Sequence, residues 1–320
     1  MAWVGFGALV LVLLVVDLLA HRKKHGESKR SAIAWSVGWI ALGLGFSFFV
    51  WRAYGSQAAH EYLGAWLIEK SLSLDNLFVF LVIFRSLSVP EDEQRRVLFW
   101  GIFGALVFRA LFIFAGVEAL QRWHAVVYVF GFILLFTAFR VAREDPAEKR
   151  DSKLVHWLAR RLPVTTVVEG ARFIVRRDGR RVATPLLVAL IAIELTDIAF
   201  AVDSVPAALA VSHEPFIVYT SNVFAILGLR ALYIALAHVI TELRYLHYGL
   251  AAVLAFAGLK MIVPDHWIHV PPLVSVAVIV GCIGTAVIAS LQARARQRRR
   301  QPAPPKGPGS STVDPREAHV

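Results

Sequence analysis

Apolar residues in this chain come in long, nearly unbroken runs. They show neither the alternation of a half-buried strand nor the single stripe of a soluble amphipathic helix. Nine runs are near the length that carries a helix across about 30 Å of hydrocarbon. They cover about 2–20, 31–51, 64–86, 97–119, 124–142, 184–211, 217–240, 246–263 and 273–291. The pattern predicts an all-α polytopic membrane protein of about nine transmembrane helices. Trp39 and Trp51 fall where the second helix would meet the membrane interface.

Two of the runs carry acidic residues in their middle. One reads Glu69-Lys-Ser-Leu-Ser-Leu-Asp75-Asn76-Leu-Phe-Val-Phe80, the other Glu194-Leu-Thr-Asp197-Ile-Ala-Phe-Ala-Val-Asp203-Ser204-Val-Pro206. A carboxylate at that depth costs about 2.5–3.5 kcal/mol on insertion scales, so an intramembrane acid is a functional candidate by default. Arg109 and Arg230, each inside a span, are the expected charge partners. Asp17, one turn before the end of the first span, reads more readily as a side chain reaching for the interface.

The polar gaps set the expected orientation. His21-Arg-Lys-Lys24, Arg95-Arg96 and Arg294 to Arg300 place one set of loops inside, with the N-terminus outside and the C-terminus in the cytoplasm. Residues 143–183 hold 11 Lys/Arg against 6 Asp/Glu and read as a cytoplasmic loop. Within it, Leu154 to Leu162 and Val164 to Ile174 have the spacing of a helix lying on the membrane surface, or else form a solvated linker. The tail 301–320, rich in Pro, Gly and Ser, is expected to be disordered.

Composition agrees with a membrane protein: 57% hydrophobic, mean hydropathy +0.60, 18% charged. The net charge of +11 lies in loops and tail beside the spans, which makes it a topology signal and argues against a nucleic-acid partner. One cysteine, Cys282, excludes an intrachain disulfide and a cysteine-based metal site.

The chain also repeats itself. Gly104-Ala-Leu-Val-Phe-Arg109-Ala-Leu-Phe-Ile113 matches Ala225-Ile-Leu-Gly-Leu-Arg230-Ala-Leu-Tyr-Ile234. Asp75-Asn76 matches Asp203-Ser204, and Glu69 then falls on Asp197. Three spans per unit make the second unit enter the membrane from the opposite side, an inverted repeat with its site near the midplane. The expected divisions are two N-terminal transmembrane helices (1–63), a first three-helix repeat (64–142), the basic loop (143–183), a second three-helix repeat (184–263), a C-terminal transmembrane helix (264–293) and the tail (294–320).

The candidate metal ligands are Glu69, Asp75, Asn76, Glu194, Asp197 and Asp203, with Ser204, Asn222, Arg109 and Arg230 in support. All the ligands offer oxygen, which suits Mn²⁺, Mg²⁺ or Ca²⁺ better than softer metals. His238 and His247 lie near span ends and read as structural. On a regular helix Asp203 turns away from Asp197, so a local break at Pro206 is expected to re-aim it. Carboxylates in excess of arginines call for a cation or protons as counter-charge.

With these residues in view, the chain resembles the TerC family, including its Alx-like members. The likeness rests on residues 69–80, Arg95-Arg-Val-Leu-Phe-Trp-Gly-Ile-Phe-Gly-Ala105, residues 194–206 and Thr220-Ser-Asn-Val-Phe-Ala-Ile-Leu-Gly-Leu-Arg-Ala-Leu-Tyr233. It covers about residues 10–290. The resemblance implies a bacterial inner-membrane protein of a family linked by name to tellurium resistance. Its Alx-like members are associated with manganese export and others with metal supply to secreted enzymes. The expectation is a proton-coupled exporter of divalent cations, Mn²⁺ first, with no permanent cofactor and no enzymatic activity. Its partners would be the lipid bilayer, the metal cation and protons. The alternative is a membrane scaffold or accessory protein in tellurium or metal stress, working through membrane-protein partners. A third reading, oxyanion binding at the arginines, would survive neutralisation of the carboxylates.

Overall fold

In a computed structural model the described residues are 2–20, 29–143, 157–158, 160, 172–177, 180–236, 245–263 and 270–300. They form helices α1 (Ala2–Ala20), α2 (Lys29–Ser86), α3 (Glu91–Arg122), α4 (Ala125–Arg143), α5 (Pro185–Leu209), α6 (Pro215–Ile226), α7 (Leu229–Leu236), α8 (Leu246–Ile262) and α9 (Pro272–Arg300). A hairpin of strands β1 (Ile174–Arg177) and β2 (Arg180–Ala183) precedes α5. Among the described residues, six stretches are long and apolar enough to cross a membrane: Ser31–Ser86, Glu91–Arg122, Ala125–Arg143, Pro185–Leu209, Pro215–Ala235 and Pro272–Ala293. Ala2–Asp17 and Leu246–Ile262 are shorter apolar helices. The protein is an all-α polytopic membrane protein.

Gly55 divides α2. Its φ of 90° and ψ of 177° are open to glycine and break the helical ladder. The two halves fold back on each other, since the Tyr62 hydroxyl donates to the Gly43 carbonyl at 3.0 Å. The second half, 56–86, therefore starts earlier than the run of apolar residues suggested, because the mixed segment 56–61, with Ser56, Gln57, His60 and Glu61, is already helical.

Neighbour pairs give the helix directions. Along 56–86 and α6, Glu69 meets Asn222, Lys70 meets Ala225, and Phe84 stacks near Tyr233 of α7. These helices run parallel. Along α3 and α5, Gly101 faces Ile193, Gly104 faces Glu194, and Gly116 faces Val205 and Leu209, again parallel. The short turn from α5 to α6 makes those two antiparallel, so 56–86 and α5 run oppositely. The first helix of each set thus packs on the second helix of the other, as an inverted repeat requires. The third helices, α4 and α8, cross at Gly131 and Gly258. A Cβ on Gly258 would lie 2.9 Å from the Gly131 carbonyl, so only glycine allows this approach.

Four expectations are corrected. α5 continues through Pro206 without a break near Asp203. The break lies instead in the run expected at 217–240: Leu227 is extended and Gly228 has φ +85°, separating α6 from α7. Residues 237–240 are outside the described set. At the end of the basic loop, Ile174, expected to close a surface helix or lie in a linker, instead begins the hairpin, in which 174–177 pair with 180–183, Arg176 with Arg181 and Arg177 with Arg180. Ile174 and Arg176 are exposed and Val175 between them is buried, the alternation of a strand. Of Leu154 to Leu162, only 157, 158 and 160 are described. Finally, α9 runs on to Arg300, so the basic segment continues the last helix, while 301–320 lie outside the described residues.

Candidate functional site

Arg109, near the middle of α3, is 1% exposed. Its polar partners all lie on other helices. Nη1 is paired with Glu69 Oε1 on the 56–86 half of α2. Nε and Nη2 donate to the two oxygens of Asp197 on α5 at 3.3 and 3.1 Å, a two-pronged grip matched to a carboxylate. Nη1 also reaches Ser204 Oγ at 3.0 Å and Asn222 Oδ1 on α6 at 3.3 Å. Asn222 Nδ2 closes the network by donating to Glu69 Oε2 at 3.0 Å. Four helices meet here, two from each three-helix set.

Helical periodicity explains who belongs. Asp197 and Ser204 are seven residues apart on α5 and share the face toward Arg109. Asp203, one residue before Ser204, faces α4 instead, where it accepts from Thr137 Oγ1 at 2.7 Å. Glu194 sits one turn before Asp197 and lies against Gly104 of α3. A Cβ there would overlap the Glu194 carboxylate, and Glu194 Oε2 has no hydrogen-bond partner among the described residues.

A cavity of about 40 Å³ opens beside Arg109. Asn76, Thr137, Arg140, Asp203 and Ser204 give its polar side. Leucines 72, 250 and 254 give part of its apolar side. It is large enough for about one water-sized guest. Asn76 is 1% exposed, and its Oδ1 has no hydrogen-bond partner among the described residues.

The structure therefore gathers Glu69, Asp197, Ser204 and Asn222 around Arg109, and places Asn76 and Asp203 on the adjoining cavity. Glu194 stands one turn away. Asp75 lies in α2, but its side chain is outside the described residues. Among the described residues, no group of three or more His, Cys, Asp or Glu side chains converges on one point that could hold a metal ion. Within the cluster, the guanidinium stands between Glu69 and Asp197. Arg230 does not join them: its Nη2 pairs with Asp17 Oδ2 at 3.0 Å and also donates to the Asp17 carbonyl at 2.6 Å. Asp17 is thus a buried ion-pair partner and does not reach for the interface.

Three contributors went unremarked in the sequence. Thr137 and Gly104 carry no signal of their own in an apolar run. Lys70 does carry one, a lysine at mid-span. It donates to the Ala225 carbonyl at 3.0 Å.

Comparison with known proteins gives the family. The profile of the "Integral membrane protein TerC family" matches residues 54–299. The chain belongs to the TerC family. Among relatives, this TerC chain is 45% identical over 292 residues to an uncharacterized membrane protein of Myxococcus xanthus, covering 90% of this chain and 91% of that one. It is 43% identical over 293 residues to Alx of Escherichia coli, a protein named as a membrane-bound redox modulator, covering 88% and 91%. It is 35% identical over 294 residues to an uncharacterized membrane protein of Rickettsia felis, covering 91% and 97%. No solved structure matches.

Proposed function

We propose that this TerC protein is a secondary transporter. It exports divalent cations, Mn²⁺ first among them, across a bacterial inner membrane in exchange for protons, with its N-terminus outside and its C-terminus in the cytoplasm. What supports the reading is the Arg109 cluster beside its cavity. Two buried carboxylates at the junction of oppositely running helix sets are held by a cation that the protein itself supplies. A pair built only to join helices would not need an unpartnered amide oxygen and a second carboxylate on an adjoining cavity.

In this reading the cation first meets Asn76 and Asp203, with Asp75 one residue away on α2. It then competes with the guanidinium for Glu69 and Asp197. Once the cation has left, Arg109 or protons compensate the acids, so the empty protein can return across its cycle. The donors are all oxygen, as hard divalent cations require. A redox role like the one named for Alx could not use a disulfide within this chain, because Cys282 is its single cysteine.

The test is Mn²⁺ flux into proteoliposomes containing the purified protein, with a pH-sensitive dye inside. Flux with opposed proton movement is expected, and Asp203→Asn and Asp75→Asn should abolish it while preserving a cooperative melting transition. Wild-type flux in both variants would sink the proposal.

A further inference from the structure

Lys70 has no place in the cation pathway just described, yet it lies near the middle of the 56–86 helix. A lysine at that depth costs as much to insert as a carboxylate. No carboxylate among the described residues lies within ion-pair distance of its ammonium. Its bond is to a backbone carbonyl, that of Ala225, in the last turn of α6.

That carbonyl is exposed by the chain itself. α6 stops after 12 residues, inside the protein. The Leu227 N–H turns back to the Val223 carbonyl at 2.8 Å, Leu227 is extended, and Gly228 takes φ +85°. In an unbroken helix the Ala225 carbonyl would receive the Leu229 N–H. Here Leu229 begins α7, and the carbonyl end of a half-helix points into a buried space. Ala225, Ile226, Leu227 and Leu229 are all buried, so neither water nor lipid can satisfy it. The aligned peptide dipoles also leave about half a negative charge at such an end. Carbonyl oxygen at an interrupted helix, sealed from solvent, is the chemistry that coordinates small monovalent cations.

We propose that the break between α6 and α7 is a monovalent-cation site and that the Lys70 ammonium is its tethered occupant. A covalently held cation fills the site permanently, so the folded protein needs no dissolved Na⁺ or K⁺ there. Removing the tether opens the site to a free cation of similar size.

The test uses the full-length protein in detergent micelles and reads melting by tryptophan fluorescence, so it does not depend on transport. Wild type, Lys70→Ala and Lys70→Gln are melted in sodium, potassium, methylammonium and choline chloride at equal ionic strength. Wild type should melt alike in all four salts. Lys70→Ala should melt several degrees lower in choline, and at least one small cation should recover half or more of that loss. Recovery of folded Lys70→Ala only from preparations made in a small cation counts the same way. The proposal is overturned if Lys70→Ala is indifferent to the cation or is unfolded in every salt. It is also overturned if Lys70→Gln melts like wild type in choline, since a neutral hydrogen bond would then suffice.

Discussion

Arg109 and Arg230 occupy matching places in the two repeats, each followed by Ala-Leu and an aromatic residue, yet they do different work. Arg109 lies in an unbroken helix and binds side chains from both three-helix sets. Arg230 lies in the first turn after a break and binds Asp17 of α1, outside either set. The two matching segments carry the same cation. The surroundings made one the centre of a polar network and the other a fastening for an added helix. A repeat in sequence therefore locates candidate groups without assigning them equal roles.

The widest separation of the two should come from truncation. Arg109→Met leaves Glu69 and Asp197 buried without their partner, which costs about 3–5 kcal/mol. A large fall in melting temperature and complete loss of Mn²⁺ flux are expected. Arg230→Met removes the ion pair to the single carboxylate of Asp17 and should cost no more than about 3–5 kcal/mol by the same logic. The folded fraction should still carry Mn²⁺ at a rate near wild type. Adding Asp17→Asn to Arg230→Met should restore most of that stability, because no buried charge then remains. No single second substitution should rescue Arg109→Met, and a double-mutant cycle measures both couplings.

Finer changes probe the margins of the Arg109 network. Gly104→Ala forces the Glu194 carboxylate aside and should cost about 1–3 kcal/mol as overpacking. If Glu194 serves the cation route, flux per folded molecule should fall as well; unchanged flux would confine Glu194 to a structural part. Thr137→Val removes one hydrogen bond to Asp203, worth about 1 kcal/mol. It should leave melting nearly unchanged and alter the Mn²⁺ concentration at half-maximal flux. The corresponding readouts around Arg230 should stay flat.

Much of this was legible in the sequence because the membrane simplifies the code. Apolar length marks the helices, and a polar residue in such a run must have a partner. That reasoning found Arg109, Glu69, Asp197 and Asn222. It could not tell that Arg230 would turn to Asp17, because partner choice depends on how α1 packs and not on spacing along one helix. It placed the broken helix at Pro206, where α5 accommodates the missing N–H, and overlooked Gly228. The backbone there turns at a glycine whose Cβ would sit 2.5 Å from Trp39, a contact between helices far apart in sequence. Lys70 was visible but unexplained until its acceptor proved to be a main-chain oxygen, which no side-chain motif announces. The strand pair 174–177 and 180–183 was hidden because a helical period was read only as far as Ile174 and the arginines after it were taken as loop charge.

The glycine crossing of α4 and α8 bears on how the molecule could move. At Gly131 and Gly258 the two backbones come into direct contact, with Ile262, Leu134 and Leu135 packed around them, so the helices have little slack there. Such a contact behaves as an axle. If the two halves turn against each other, displacement must be least there and grow with the length of the lever arm. Arg109 binds side chains of both three-helix sets, so any such rotation has to change its bonds.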